Sequence, residues 1–263
     1  MHSKAHKLLA AMIAAAIWTP GTTRAETSPA VPAVHTTAGL KAAPWGKNLT
    51  ITFGKDAYTL ASDRVPNHAR PAQYLLPKPG ILVPESAAGL IAGDDPSRLQ
   101  NYSFALPLHP KKNATATPTP LGPIGILVSG AALFNPYDHT IALQHNITVD
   151  GVSLVDACNG HATPAGFIPE GTYHHRGVPH CIADVLDKPG QHSKLIGVAL
   201  DGFPIYGPLG KEGAKPAQLD GCNGHSEPTG EFPQGMSHYH LTEGSPYSIR
   251  CLAGRCAGHH RPA

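Results

Sequence analysis

Apolar residues along this chain alternate with polar ones or gather in short blocks, and no segment carries the roughly 3.6-residue spacing of an amphipathic helix. In NLTITFGKDAYTLAS (48–62), Leu49, Ile51 and Phe53 alternate with polar neighbours, and GKD offers a turn. That pattern predicts a β-hairpin. NYSFALPL (101–108) predicts another strand, followed by the loop HPKKNATATPTPLGP (109–123). IGILVSGAALFNP (124–136) is a continuous apolar run with Ser and Gly in its middle, which predicts a buried strand, a turn and a second strand. HNITVDGVSLV (145–155) and KLIGVALDGFPIYGP (194–208) read similarly, each apolar stretch closed by Asp-Gly. The expected fold is mainly β: one disulfide-bonded domain of short strands with long Gly/Pro-rich loops.

Composition agrees. Glycine (28) and proline (27) are abundant enough in 263 residues to disfavour long helices and to supply many turns. The chain is 41% hydrophobic and 14% charged, so it can bury a core and general disorder is not expected. A net charge of +2, with no basic stripe, gives no electrostatic case for nucleic acid.

The first 25 residues read as an export signal: Lys4 and Lys7, the apolar run LLAAMIAAAIW (8–18), and a small residue, Ala25, before Glu26. The run is short for a bilayer span and no second apolar stretch follows, so no membrane span is expected. Residues 26–45 read as a flexible Pro-rich leader, 46–257 as the folded domain and 258–263 as a tail. An exported protein, periplasmic or extracellular, meets an oxidising compartment, which favours disulfides over thiolate metal sites. The sequons at Asn48, Asn101, Asn113 and Asn146 matter only in a host that glycosylates secreted proteins.

One unit occurs twice. DACNGHATPAGFIPEGTYHH (156–175) aligns without a gap on DGCNGHSEPTGEFPQGMSHY (220–239), and ten of the twenty positions are identical. That is far above the one or two that ordinary residue frequencies give, so duplication of a supersecondary unit accounts for it. Each copy has a further cysteine downstream, placing the copies near 156–181 and 220–251. The spacing suggests disulfides Cys158–Cys181 and Cys222–Cys251 with Cys256 left over; Cys251–Cys256 is the competing pair.

The pieces DxCNGHxxPxG, SHYH (237–240), HSKLIGVALDGFPIYGP (192–208) and C-x-x-G (251–254) resemble the YHYH-domain family of exported proteins. So do SDRVPNHARP (62–71), NYSFALPL and LGPIGILVSGAALFNP (121–136). The resemblance covers roughly 46–257 and implies a secreted, β-rich domain with two histidine-containing repeats, without supplying a mechanism. This chain departs from the name-giving tetrad. The first copy reads Tyr173-His174-His175-Arg176 and the second Ser237-His238-Tyr239-His240. These departures disfavour a symmetric two-site model and leave standing a single, better-equipped site using the second copy.

Seventeen histidines against six phenylalanines point to where chemistry resides, since imidazole is the commonest protein metal ligand. In a strand, alternate residues share a face, so His238 and His240 point the same way with Tyr239 opposite. Two such imidazoles can reach one ion, with His225 or the other copy completing the shell. The expected metal ligands are His225, His238 and His240, with His161 and His174 contributing. Copper or zinc suits such nitrogen donors. The site would buffer metal or support redox or hydrolytic chemistry at an open coordination position.

The histidines can brace the fold by bonding backbone carbonyls, or a histidine pair beside Asp201 or Asp220 can do metal-free acid–base work. A metal-free extracellular module could recognise a protein or glycan through Phe203, Tyr206, Tyr239 and Tyr247. Asp156 and Asp220 read first as turn-capping residues, and Phe203 and Tyr206 as core. His192 and Asp201 flank the KLIGVAL strand. His109, His139 and His145 read as solvated loop residues, and His259 and His260 as adventitious tail ligands. No GxSxG, HExxH, Walker or dinucleotide-binding pattern is present.

Overall fold

The computed structural model describes residues 33–63, 65–81, 84–136, 148–165 and 170–256. The expected signal peptide, most of the leader's first half, the tail, and His139, His145, His259 and His260 lie outside the described residues. In chain order the elements begin with α1 (Ala33–Ala42), β1 (Leu49–Phe53), β2 (Ala57–Ser62), β3 (Gln73–Pro77), β4 (Leu90–Asp94), β5 (Tyr102–Pro107) and β6 (Lys112–Pro118). There follow β7 (Pro123–Leu127), β8 (Ala132–Phe134), β9 (Thr148–Val149), β10 (Val152–Ser153), β11 (Gly160–Ala162) and β12 (Tyr173–His175). The last are α2 (His180–Leu186), β13 (Leu195–Ala199), β14 (Pro204–Tyr206), β15 (Gly224–Glu227), β16 (Met236–His240) and β17 (Cys251–Gly254).

The fold is mainly β, as the alternation requires. β1 and β2 form the expected antiparallel hairpin, and β5 pairs with β2 to complete a three-stranded sheet. Smaller two-stranded sheets join β3 to β4, β6 to β17 and β9 to β10. Among the described residues no helix is long and apolar enough to cross a membrane.

The central sheet has eight strands in the order β11-β12-β8-β7-β13-β14-β16-β15. Read from either end, the order repeats itself about the β7–β13 pair. Each half is an apolar hairpin whose second strand pairs in parallel with the outer hairpin's inner strand: β8 with β12, and β14 with β16. The duplication is therefore larger than the histidine-bearing segments. IGILVSGAALFNP (124–136) and IGVALDGFPIYGP (196–208) are its other half, matching at Ile124/Ile196, Gly125/Gly197, Gly130/Gly202 and Pro136/Pro208.

Reciprocal hydrogen bonds show the two-fold relation. The Val128 amide donates to the Ile196 carbonyl (2.8 Å), and the Leu200 amide to the Ile124 carbonyl (2.9 Å). Gly125 and Gly197 sit where the halves meet. A Cβ at Gly197 would lie 2.6 Å from the Ile126 carbonyl oxygen, and one at Gly125 2.7 Å from that of Val198. Only glycine permits that approach. Around this seam Ile124, Ile126, Leu127, Ile196, Val198 and Ile205 are wholly buried. Burying each such side chain contributes about 1.5–3 kcal/mol.

Two short α-helices accompany the strands among the described residues, and the first corrects the reading of the leader. Residues 33–42, placed in the flexible leader by their small, Pro-flanked composition, form α1 instead. Its Thr36 and Leu40, one helical turn apart, are buried, and the Trp45 indole N–H donates to the Leu40 carbonyl (2.7 Å). A helix of ten residues is marginal alone, so contact with the core decides its conformation; of its buried positions Thr36, Gly39 and Leu40, only Leu40 is a large apolar residue, which leaves no readable apolar stripe. α2 is shorter still and buries Ile182 and Ala183.

Candidate metal centre

Both disulfides form as the spacing suggested. Cys158–Cys181 ties the turn before β11 to α2, and Cys222–Cys251 ties the turn before β15 to β17. Cys256 is free and exposed, so the Cys251–Cys256 alternative is not adopted. The two CNGH turns are built alike. Asp156 Oδ1 accepts from the amides of Cys158 (2.9 Å) and Gly160 (3.1 Å), and Asp220 Oδ1 from those of Cys222 and Gly224 (both 2.9 Å). These aspartates cap turns, as expected, and the turns deliver each following histidine onto the sheet. Asn159 and Asn223 take positive φ (53° and 70°), a conformation that asparagine tolerates.

In the second copy β15 and β16 set His225 opposite His238. Strand alternation turns His238 and His240 to one side and Tyr239 to the other, where its hydroxyl donates to Asp201 Oδ2 (2.6 Å). On the histidine side, atoms of His192, His225, Glu227, His238 and His240 lie within 4.8 Å of one another. His192 arrives just before β13; Glu227 lies two residues beyond His225 on β15 and so shares its face.

The hydrogen bonds fix how these rings present themselves. Nδ1 of His238 contacts the Met236 carbonyl (2.8 Å), that of His240 the Gly207 carbonyl (2.7 Å), that of His225 the Ala217 carbonyl (3.0 Å) and that of His192 the Ser193 carbonyl (2.7 Å). A carbonyl only accepts, so each Nδ1 carries the proton and donates it. Each neutral ring then offers its Nε2 lone pair. His225 Nε2 and His240 Nε2 lie 3.2 Å apart, and Glu227 Oε1 stands 3.3 Å from His192 Nε2 and 3.4 Å from His225 Nε2. Nε2 of His192 and His238 and Oε1 of Glu227 are buried without a hydrogen bond. Burial, then repulsion from neighbouring histidines, lowers the His238 pKa to about 2. Burial and the adjoining His192 and His225 lower that of His240 to about 3, against a raising carbonyl bond. Both rings are therefore neutral across the physiological range.

Four converging imidazole nitrogens and a carboxylate oxygen, with no hydrogen to share among them, are a set of ligand atoms that could hold a metal ion. Nδ1–H bonded to a backbone carbonyl is the outer-shell arrangement that orients a metal-binding histidine. Tyr206 walls the cluster, its ring 4.8 Å from His192 and 4.9 Å from His238 between centroids, and its hydroxyl bonds Thr229 Oγ1 (2.7 Å).

The first copy is placed differently from expectation. β11 and β12 form the opposite edge of the eight-stranded sheet, so His161 and His174 do not join the cluster. The two-fold seam puts the copies at opposite edges of the sheet, which corrects the idea that imidazoles from both copies meet at one point. His161 and His174 pair with each other, ring centroids 4.7 Å apart, and His174 stacks on Phe134 at 3.7 Å. His175 takes the place of Tyr239 and bonds the Cys158 carbonyl (2.9 Å) and Ser129 Oγ (3.2 Å), as a bracing histidine does. A second grouping, His68, Cys158 and His175, contains a disulfide sulfur, which is not a thiolate ligand.

The family model described as YHYH protein matches residues 103–218 and 212–254. The chain belongs to the YHYH family. No curated protein and no solved structure gives a significant match. The matched region takes in both halves of the central sheet and every member of the histidine cluster, while α1 and β1 to β4 precede it. The YHYH tetrad of the second copy is thus β16, whose two histidines face the cluster.

Two cluster members escaped the sequence reading. Glu227 carries a usable signal, since His225-Ser226-Glu227 has the same alternation as His238-Tyr239-His240. His192 carries none in its own neighbourhood; the order β13-β14-β16 brings it in. Asp201, weighed as an acid–base partner, lies on the far side with Tyr239 and accepts the Gly254 amide (2.9 Å). Burial raises its pKa. Phe203, Tyr206 and Tyr239 are buried, so they present no recognition surface.

Proposed function

We propose that this YHYH-family chain is an exported transition-metal-binding protein, holding one copper or zinc ion between His192, His225, Glu227, His238 and His240. The observation that carries the reading is the orientation of the rings: four Nδ1–H groups are committed to carbonyls, so four Nε2 lone pairs and a carboxylate oxygen face one another. Histidines that only brace a fold use both nitrogens, as His175 does. The absence of a thiol or thioether from the donor set favours a divalent ion over Cu(I). Two disulfides support export to an oxidising compartment.

An ion bound by fewer than all five groups keeps a position for water, which suits buffering as well as redox or hydrolytic chemistry. Titration of chelator-treated protein with Zn(II) and Cu(II) tests the proposal. One equivalent is expected in the wild type and none in the His238→Ala/His240→Ala variant. Equal binding by a folded double variant contradicts it.

A further inference from the structure

The two halves of the sheet allow position-by-position comparison of their histidine sites. His161 corresponds to His225, His174 to His238, Phe134 to Tyr206 and Arg176 to His240. The backbones correspond too. The Arg176 amide donates to the Asn159 carbonyl (2.8 Å), and the His240 amide to the Asn223 carbonyl (2.9 Å). His174 is oriented like His238: its Nδ1 bonds the carbonyl two residues back, Thr172 (3.0 Å), as His238 bonds Met236 (2.8 Å). Its Nε2 lone pair therefore takes the orientation that His238 Nε2 takes in the second copy. There the copies diverge, because Arg176 Nε donates to His174 Nε2 at 3.2 Å.

We infer that Arg176 supplies a tethered cation to the first copy where the second copy uses a metal ion. The inference rests on the metal reading of the second copy. A guanidinium is permanently charged, and it donates to the imidazole lone pair that a metal would otherwise take. Its carbon also stands 5.7 Å from the Phe134 ring centroid, over the ring on which His174 stacks. The first copy lacks the remaining donors as well, for Thr163 corresponds to Glu227, and Pro120 to His192. The consequence is a protein with two homologous imidazole pairs and a single exchangeable ion. Replacing the guanidinium by imidazole would give the first copy His161, His174 and a third histidine, enough for a three-nitrogen site.

The experiment is Zn(II) titration of wild type and Arg176→His, followed by ¹⁵N resonances of the histidine side chains in ¹⁵N-histidine-labelled protein. The expected result is one equivalent in the wild type, with His174 signals unmoved by zinc. Two equivalents are expected in Arg176→His, with His174 Nε2 shifted on binding the second. Should Arg176→His fold poorly, Arg176→Lys provides the second test: a point charge retained on a flexible stem, expected to keep one equivalent and an unmoved His174. A wild type that binds one ion while Arg176→His still binds one overturns this inference and leaves the second-copy centre standing. Zinc shifting His174 in the wild type also overturns it. A wild type that binds no ion overturns both.

Discussion

His225 and His240 meet Nε2 to Nε2 at 3.2 Å, while each donates its Nδ1 proton to a main-chain carbonyl. With both protons committed elsewhere, neither ring has a hydrogen to place between them. Two lone pairs face each other, an arrangement that a bound cation would relieve. Binding should therefore stabilise the fold: an ion present at 100 times its Kd adds about 2.7 kcal/mol. In a domain of this size that raises Tm by roughly 5–11 °C. Differential scanning calorimetry with and without Zn(II) reads the shift, and an unchanged Tm at saturating zinc contradicts it.

The metal-free protein should lose stability in mild acid. Burial first, and neighbouring charges second, lower the pKa of His175 to about 4, His240 to about 3 and His238 to about 2. His174 is lowered too, by burial and then by His161 and Arg176. An unfolded histidine titrates near 6.5, so below that value the unfolded chain binds protons that the folded chain refuses. Stability then falls as pH drops and is flat above neutrality, each group contributing about 1.4 kcal/mol per pH unit in the window. Asp201, raised by burial, acts in the opposite sense, its contribution fading as pH rises through its folded pKa. One carboxyl group does not offset several imidazoles. Melting of chelator-treated protein should be constant from pH 8 to 7 and should fall steeply from 6 to 4; a flat acid limb contradicts the burial of neutral rings.

Tyr239→Phe separates fold from site. The hydroxyl donates to buried Asp201 and accepts the Ala253 amide (2.6 Å), so its removal leaves two buried groups short of a partner. The expected cost is about 2–4 kcal/mol, read as a lowered denaturation midpoint. Zinc stoichiometry should stay at one, since Tyr239 lies on the face away from the cluster. Loss of the ion in a folded Tyr239→Phe protein would contradict that division of faces.

How much of this was legible in the sequence depends on what kind of order each feature needs. Alternation at Leu49, Ile51 and Phe53 and the interrupted apolar runs gave the hairpins, because strand burial has a period of two. The same period gave the shared face of His238 and His240, and the repeat gave His225. It did not give distance. His161 and His174 look equivalent in sequence, and they are equivalent in the fold, on the opposite edge. Similarity of copies reports shape, whereas convergence depends on where the two-fold seam falls. That seam is carried by 124–136 and 196–208, whose sparse identities hide under interchangeable apolar residues such as Leu133/Ile205 and Phe134/Tyr206. α1 was illegible because core contact, rather than an apolar stripe, holds it.

Anomalous scattering from crystals soaked in Zn(II) would locate the ion and count its ligands together. One strong peak is expected about 2.0–2.1 Å from Nε2 of His225, His238 and His240, within reach of His192 and Glu227, and none beside His174. Crystals of folded protein showing no peak among these five residues, with their Nε2 atoms bonded instead to water or protein donors, would contradict the proposed centre.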